Sequence, residues 1–166
     1  MNPNGWHICL TDPSRTTRFA AEEFIRLITR MDPGVQAGID GEGLRIGVTA
    51  PEADDDAVRI DVREGAGYIS GPNPRSVLIA VYRFFREAGC VFLRPGREGE
   101  YVPRRDSLAL CVQVNEAAAY RHRGICLEGS NSYENVAEMI DFAPKLGFNS
   151  YFTQLYRPSF AFKRWS

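Results

Sequence analysis

The stretch that decides the fold is residues 68–93, which read YISGPNPRSVLIAVYRFFREAGCVFL. Three residues with strand character lead into Gly71-Pro72-Asn73-Pro74, where an Asn side chain and a proline at the first turn favour the start of a helix. Apolar residues then recur at helical spacing up to Ala88, and Gly89 is typical of a helix end. Residues 90–93 are apolar again and predict a return to the sheet. The stretch therefore predicts a strand, a helix and a strand.

The flanking segments add one more helix and several strands. Residues 57–63 alternate and, with the tight Gly65-Ala66-Gly67 connection, predict a hairpin with residues 68–70. An amphipathic helix is expected from Asp12-Pro13 to Met31, before Asp32-Pro33-Gly34. Further strands are expected at residues 6–10, 44–48 and 108–114. Two helices beside hairpin-linked strands indicate an α+β fold, which is a two-layer domain with both helices on one face of a mainly antiparallel or mixed sheet.

A boundary is expected at residues 115–119, because the pattern changes after them. Residues 123–128 predict a strand, residues 132–146 a helix introduced by Asn131-x-x-Glu134, and residues 149–155 a second strand. Pro144 is expected to kink or shorten the last helical turn, and Gly147 is suited to the position after it. A strand, a helix and a strand at this spacing form a βαβ unit with parallel strands. The predicted domains are therefore residues 1–115 and 116–166.

Composition excludes several classes of protein. The chain has 166 residues, is 44% hydrophobic and carries a net charge of −1, which is ordinary for a globular protein and gives no global field for nucleic acid or an anionic membrane. The N-terminus lacks the pattern of a secretory signal, and no apolar run is long enough for a membrane span. Four cysteines without a C-x-x-C pair predict buried free thiols in a reducing, cytoplasmic location. With only two histidines, no metal and no cofactor are expected.

Three other motifs are interpreted as structural. Gly65-x-Gly67 lies within a hairpin, so we expect a turn there and not a phosphate site. The acidic run at residues 52–56 has the ligands for a divalent cation, but a solvated loop tip is the preferred interpretation. The arginines between residues 94 and 105 are interleaved with carboxylates, so we expect an ion-paired loop.

Arg123, Glu128 and Gln154 are the candidate site residues. An arginine in a strand is costly unless it is paired or faces a site, so Arg123 either grips sugar hydroxyls or a carboxylate, or forms a salt bridge across the sheet. Glu128 ends its predicted strand, and Gln154 lies near the same end of the next one. In parallel β/α barrels this end carries the working groups.

An ordered set of motifs, spread over roughly residues 6–160, resembles one group of carbohydrate-active enzymes. The central part of the chain resembles the N-terminal accessory domain of family 20 glycoside hydrolases, the β-N-acetylhexosaminidases, and of family 67 α-glucuronidases. The resemblance lies in Tyr68-Ile69-Ser70-Gly71-x-Asn73, in the helix that follows, and in Gly89-Cys90-x-Phe92-Leu93 and Pro95-Gly96 after that helix. Gly99-Glu100-Tyr101-Val102-Pro103 fits the same pattern. Arg123-Gly124-x-x-x-Glu128 resembles the first barrel strand of family 20, where Arg-Gly-x-x-x-Asp is usual, and residues 139–149 resemble the helix and strand that follow.

The resemblance implies a non-catalytic α+β domain beside a (β/α)₈ catalytic barrel. It also implies that Arg123 binds sugar hydroxyls, while Glu128 stands in place of the family's aspartate. The family's catalytic Asp-Glu pair lies on a later barrel strand. A barrel takes about 250 residues, and residues 116–166 number 51. We therefore expect the N-terminal part of a glycoside hydrolase, the start of a truncated barrel, and no glycosidase turnover by this chain alone.

The expected partner is a carbohydrate substrate, bound by the full-length enzyme. Self-association is also expected, because an unfinished barrel leaves strand edges and aromatic residues uncovered. Two alternatives remain open at this stage. One is a free-standing carbohydrate-binding module in which Tyr156 and Trp165 stack on sugars, and the other is a protein-interaction domain unrelated to sugars.

Overall fold

The computed structural model describes residues 5–49, 53–128 and 132–154. These residues form ten strands, three α-helices and two short 3₁₀ turns. Their bounds are β1 Gly5–Leu10, α1 Arg15–Met31, β2 Gln36–Gly38, β3 Leu44–Val48, β4 Ala57–Arg63, β5 Ala66–Gly71, α2 Pro74–Glu87, β6 Val91–Phe92, a 3₁₀ turn Arg97–Gly99, β7 Glu100–Tyr101, β8 Cys111–Ala117, β9 Gly124–Glu128, α3 Tyr133–Phe142, a 3₁₀ turn Ala143–Leu146 and β10 Ser150–Gln154.

Six of the strands form one mixed sheet in the order β2-β1-β3-β5-β4-β8. β1 runs parallel to both of its neighbours, and β3 runs parallel to β5. β4 runs antiparallel to both β5 and β8. The prediction of an α+β domain with a mixed sheet is therefore confirmed. We call residues 5–117 the α+β unit.

The core of the α+β unit lies between this sheet and the two helices α1 and α2, which pack against each other. Trp6, Phe24, Phe84 and Phe85 form an aromatic cluster whose ring centroids are 5.1 to 6.1 Å apart. The Trp6 indole Nε1 donates to Ser107 Oγ at 3.0 Å, so its polar atom is satisfied although the ring is fully buried. Such aromatic contacts stabilise the fold by more than the burial of their apolar area alone would give.

Both helices begin at side-chain caps. Asn73 accepts from the Ser76 amide, and Pro74 occupies the first helical position, as the sequence predicts. α1 begins at Arg15, later than expected, because Ser14 is its N-cap. The carboxylate of Asp12 instead accepts from the Ser14 and Val48 amides, and so ties the start of the helix to β3.

The β4–β5 hairpin is also confirmed, with its turn one residue earlier than expected. Arg63 pairs with Ala66, which leaves Glu64 and Gly65 as a two-residue turn. Their φ angles are 49° and 79°, the positive values of a type I′ turn. Gly67 follows in β5, where a Cβ would lie 2.0 Å from the Asp61 carbonyl oxygen, so only glycine fits.

Three details of the predicted sheet were wrong. Residues 90–93 do not return to the main sheet, because β6 pairs with β7 in a separate two-stranded sheet. The short parallel strand β2 was not expected. The last strand begins at Cys111 and not at residue 108, since the Asp106 carboxylate accepts from the Leu108 amide and holds a turn there. That strand continues to Ala117, into the predicted boundary.

The remaining described residues form a parallel βαβ arrangement. β9 pairs with β10 over five positions, from Gly124 with Ser150 to Glu128 with Gln154. α3 ends at Phe142, and the 3₁₀ turn that contains Pro144 replaces its predicted last turn. Gly147 adopts the left-handed conformation that was expected. The cap is Ser132, which accepts from the Asn135 amide, while Asn131 lies outside the described residues. We call the described residues between 123 and 154 the βαβ unit.

Candidate functional site

Glu128 and Gln154 are brought together by the structure. They are register partners at the carboxyl ends of β9 and β10. The placement of this pair at the end of the βαβ unit agrees with the sequence expectation for the two residues, and it rests on the backbone pairing alone.

Arg123 lies at the other end of the strand pair, immediately before β9 begins. The strand that separates it from Glu128 spans about 16 Å at the usual rise per residue. Its guanidinium donates from Nε to the Gly147 carbonyl, from Nη1 to the Tyr120 carbonyl and from Nη2 to Asp56, at 2.9, 2.8 and 2.7 Å. Arg123 therefore forms a salt bridge between the two units, whereas the alternative to a sugar site was a salt bridge across its own sheet.

The acceptor of that bridge, Asp56, is the centre of a buried polar cluster. Its side chain is 2% exposed. Oδ1 accepts from Ser76 Oγ at 2.8 Å and from Arg75 Nε at 3.0 Å. Oδ2 accepts from Arg123 Nη2 and from Asn149 Nδ2, both at 2.7 Å. Asp56 thus joins the start of α2 to the starts of β9 and β10.

The electrostatics of Asp56 follow from these partners. Burial by itself raises the pKa of a carboxyl group, but the hydrogen bonds from Arg75, Arg123, Ser76 and Asn149 outweigh it and hold the pKa of Asp56 well below its usual range. The group is therefore ionised at every physiological pH. The expectation that the whole acidic run is a solvated loop tip was wrong for Asp56, whereas Asp54 and Asp55 are exposed and face Arg121.

A second buried carboxylate, Glu100 on β7, joins the same two units. Its side chain is 1% exposed. It accepts from both terminal nitrogens of Arg26 at 2.7 and 2.9 Å, and from Arg30 Nη1 at 2.6 Å. Lys145 of the βαβ unit is 2% exposed and places Nζ 3.1 Å from Glu100 Oε1. Burial raises the pKa of Glu100, but the Arg26 hydrogen bonds and the charges of Arg26 and Lys145 lower it overall.

This arrangement holds two units together and is unsuited to proton transfer. A general acid must be protonated near working pH, and a general base must be free to accept a proton. Asp56 and Glu100 are each surrounded by cations and are held ionised. A cleft of about 210 Å³ lies along the junction, lined by Asp56, Arg83, Arg123, Lys145 and Gly147 among others. We therefore assign the junction a structural role.

Sequence reasoning missed Asp56, Glu100 and Lys145. Lys145 carried no usable signal, because a lysine in the last turn before a glycine cap is common and is ordinarily solvated. Glu100 lies in the predicted irregular loop, and its partners Arg26 and Arg30 are 74 and 70 residues away in the chain. Nothing in the local pattern points to that contact. In the same loop, Arg94 pairs with Glu98 at 3.4 Å.

Other expectations concern metals, thiols and membranes. Within residues 5–49, 53–128 and 132–154 there is no group of three or more potential metal-ligating His, Cys, Asp or Glu side chains.

All four cysteines are free, but only Cys90 is buried, so the expectation of buried thiols was wrong for Cys111 and Cys126. Burial raises the pKa of the Cys90 thiol to about 11. None of the described helices combines the length and the apolar character that a bilayer crossing demands. Tyr156 and Trp165 lie outside the described residues.

No protein-family model matches the chain, and no curated protein matches it significantly. Solved structures do share its fold. The GH20 exo-β-N-acetylglucosaminidase from Vibrio harveyi, in complex with N-acetylglucosamine, matches 92% of the chain with a TM-score of 0.62 and 13% identity. The N-acetyl-β-hexosaminidase from Streptomyces plicatus, in complex with Thio-NAglucal, matches 90% with a TM-score of 0.63 and 17% identity. The chain spans 22% and 30% of those two chains. Its fold is therefore similar to part of the GH20 β-N-acetylhexosaminidase fold.

Proposed function

We propose that this chain is the N-terminal, non-catalytic part of a glycoside hydrolase that resembles the hexosaminidases and acts on glycans. In this proposal, residues 1–115 are a two-layer accessory domain, and residues 116–166 begin a (β/α)₈ catalytic barrel. The observation that carries it is the order of the two units. A mixed-sheet α+β unit is followed by a parallel βαβ unit, and the same arrangement matches over 90% or more of the chain in two GH20 enzymes.

The task proposed for the α+β unit is mechanical, and the junction supports it. Asp56 and Glu100 belong to the α+β unit, and each bonds a cation of the βαβ unit, Arg123 or Lys145. A parallel strand pair is not stable by itself, because it needs further strands and a covering layer. The α+β unit would supply part of that cover and fix where the first barrel strand starts.

The substrate-binding residues that we propose are Glu128 and Gln154, whereas the geometry of Arg123 favours a role in the junction. The placement of Glu128 and Gln154 at the carboxyl ends of neighbouring parallel strands supports their role, since barrels bind substrate at this end. For Arg123, three of its five N–H groups donate to atoms of described residues. These bonds hold Arg123 at the amino end of the strand pair, so its proposed role is to position the start of β9.

A panel of chromogenic p-nitrophenyl glycosides tests the non-catalytic part of the proposal. Glycoside hydrolysis takes two suitably placed carboxyl groups, or one with assistance from the substrate. The purified chain should release no p-nitrophenol in proportion to protein added, with an intact hexosaminidase as the positive control. Steady, protein-proportional release from any glycoside would overturn this part.

The gene itself tests the remaining part. The reading frame should continue beyond the Ser166 codon for about 200 residues, which is the length that completes a barrel. That stretch should contain an adjacent Asp-Glu pair at the end of a predicted strand. A stop codon directly after Ser166 in the native gene would contradict the proposal and favour a free-standing module.

A further inference from the structure

The main sheet has a second face that does not carry α1 and α2. On the helix side, Ile60, Ile69 and Val114 are register partners, and all are buried. Neighbouring residues along each strand point the other way. On that other side, a row of register partners crosses five strands: Cys9, Arg45, Tyr68, Asp61 and Gln113. A second row contains Ser70, Arg59 and Asn115.

We call this surface the open sheet face and define it by Arg45, Arg59, Asp61, Arg63, Tyr68, Gln113 and Asn115. Six of these residues are exposed and Asp61 is half-buried. Three guanidinium groups therefore share a surface with one carboxylate, on a chain whose net charge is −1. The open sheet face is a local positive patch.

Two arginines of this face are not held by carboxylates of the described residues, in contrast to several arginines around the junction and the helices. Arg26, Arg75 and Arg83 are held by carboxylates. Arg63 lies 3.4 Å from Asp61 but is 65% exposed. Arg45 and Arg59 have no ion-pair partner among the residues that the structure describes. Unpaired guanidinium groups are available for a bidentate bond to an external carboxylate or sulfate.

Tyr68 lies at the centre of the open sheet face and is 37% exposed. Arg45 and Asp61 are its direct partners on the two neighbouring strands, and Arg59 and Arg63 are diagonal to it. Direct partners have Cβ atoms about 5 Å apart, and diagonal neighbours lie about 7–8 Å apart. An aromatic ring with planar polar side chains at these distances matches one pyranose ring, whose apolar side stacks while its hydroxyls and acidic groups bond around the edge.

We propose that the open sheet face binds an acidic oligosaccharide, meaning one that carries carboxylate or sulfate groups. Arg45 and Arg59 would bond the acidic groups, Tyr68 would stack on a sugar ring, and Asp61 and Gln113 would bond hydroxyls. A nucleic acid fits less well, because a single exposed ring offers no series of stacking positions for successive bases. This site belongs to the α+β unit alone and does not depend on where catalysis takes place.

Isothermal titration calorimetry of the whole chain tests the proposal. The probes are tetragalacturonate for carboxylate, a heparin-derived tetrasaccharide for sulfate, neutral chitotetraose and a short single-stranded oligothymidylate. At least one acidic oligosaccharide should bind saturably, and the affinity should fall as salt rises from about 50 to about 500 mM because exposed charges are screened. Chitotetraose should bind more weakly than the acidic probe.

Matched variants locate the site. Arg45→Ala and Arg59→Ala should each weaken binding about threefold to fivefold, as expected for one exposed charge contact. Tyr68→Ala should weaken it by a similar factor. Arg18→Ala removes an exposed arginine on α1 and should leave the affinity unchanged. In ¹⁵N-labelled wild-type protein, amide shifts should move on β3, β4 and β5, which locates the site even where a variant folds poorly.

Several results would overturn the proposal. These are no binding of either acidic probe, shift changes confined to other elements, equal affinity of the Arg45→Ala and Arg18→Ala variants where both are folded, or tighter binding of the oligothymidylate than of either glycan. The glycosidase assay is separate from this titration, so the failure of one proposal is distinguishable from the failure of the other.

Discussion

The α+β unit and the βαβ unit differ in the interactions that stabilise each of them. The α+β unit has a continuous apolar core with Trp6, Phe24, Phe84 and Phe85 at its centre. In the described part of the βαβ unit, the buried hydrophobic residues are Val136, Phe142 and Ala143. That unit is attached through Phe142, which joins the core of its neighbour, and through Arg123 and Lys145, which bond buried carboxylates there. The difference indicates that the first unit is stable by itself and that the second depends on the first.

Phe24→Ala should have the largest effect, because it removes a fully buried ring that contacts three other rings. The expected loss is about 3–5 kcal/mol of unfolding free energy. Since the βαβ unit depends on the α+β unit, both should lose structure together. Urea unfolding followed by circular dichroism measures the loss. Phe19→Ala, at a ring that is 40% exposed, is the control and should cost about 1 kcal/mol or less.

Asp56→Ala should release the βαβ unit alone. It leaves Arg75 and Arg123 without their carboxylate, and we expect a cost of about 3 kcal/mol. Hydrogen exchange followed by mass spectrometry should show faster exchange in peptides from residues 124–154, while peptides from α1 and α2 keep their protection.

Asp54→Ala is the matched control for that experiment. Asp54 also pairs with an arginine, but its side chain is 89% exposed, so the cost should be below about 0.5 kcal/mol. Uniformly faster exchange throughout the Asp56→Ala variant would show that the two units unfold as one. That result would contradict the inference that the α+β unit is stable by itself.

Acid should reproduce the effect of Asp56→Ala. The folded-state pKa values of Asp56 and Glu100 are both lowered. A carboxyl group whose pKa is lowered by folding contributes stability that is fully present above its unfolded pKa, about 4, and is lost as the pH falls through the folded pKa. Relative to the intrinsic exchange rate at each pH, the protection of residues 124–154 should therefore fall below about pH 4 and before the α+β unit opens. In Asp56→Asn this acid dependence should be smaller, and an unchanged dependence would exclude Asp56 as its source.

Self-association through the βαβ unit is the prediction for which we expect the smallest measured change. Phe152 on β10 is 62% exposed, and β9 and β10 pair only with each other among the described strands. Exposed strand edges with apolar side chains favour contact between copies. Light scattering should show a mass above the monomer at high concentration, reduced in Phe152→Ser. Tyr101→Ser, at a residue that is 58% exposed in the α+β unit, should not reduce it. A monomer at every concentration would count against this prediction.

Local signals in the sequence were sufficient for much of the fold. Asn73 and Pro74 mark the start of α2, Gly89 follows its end with a φ of 89°, and Pro144 shortens α3 as expected. These features are decided within a few residues by cap geometry and by the chemistry of proline and glycine. The parallel pairing of β9 with β10 was equally predictable, because a strand, a helix and a strand at that spacing have few alternatives.

The partners of residues far apart in the chain were not predictable. Asp56 is separated from Arg123 by 67 residues and from Asn149 by 93, so its burial had no local signature beside the exposed Asp54 and Asp55. β6 was assigned to the wrong sheet for the same reason, since any apolar strand is compatible with the main sheet until its partner β7 is known. In the candidate site, the pairing of Glu128 with Gln154 was predictable from the ends of the two predicted strands. The bond from Arg123 to Asp56 was visible only in the tertiary structure.

The location of Asp56 and Glu100 has a consequence for synthesis on the ribosome. Both carboxylates leave the exit tunnel before Arg123 and Lys145, and domains generally fold from the N-terminus as they emerge. The α+β unit therefore folds first and holds Asp56 and Glu100 in fixed positions, each still without one of its cationic partners. Arg123 and Asn149 directly precede β9 and β10, so their bonds to Asp56 place both nascent strands in one register, and the first unit is a template for the strands made after it.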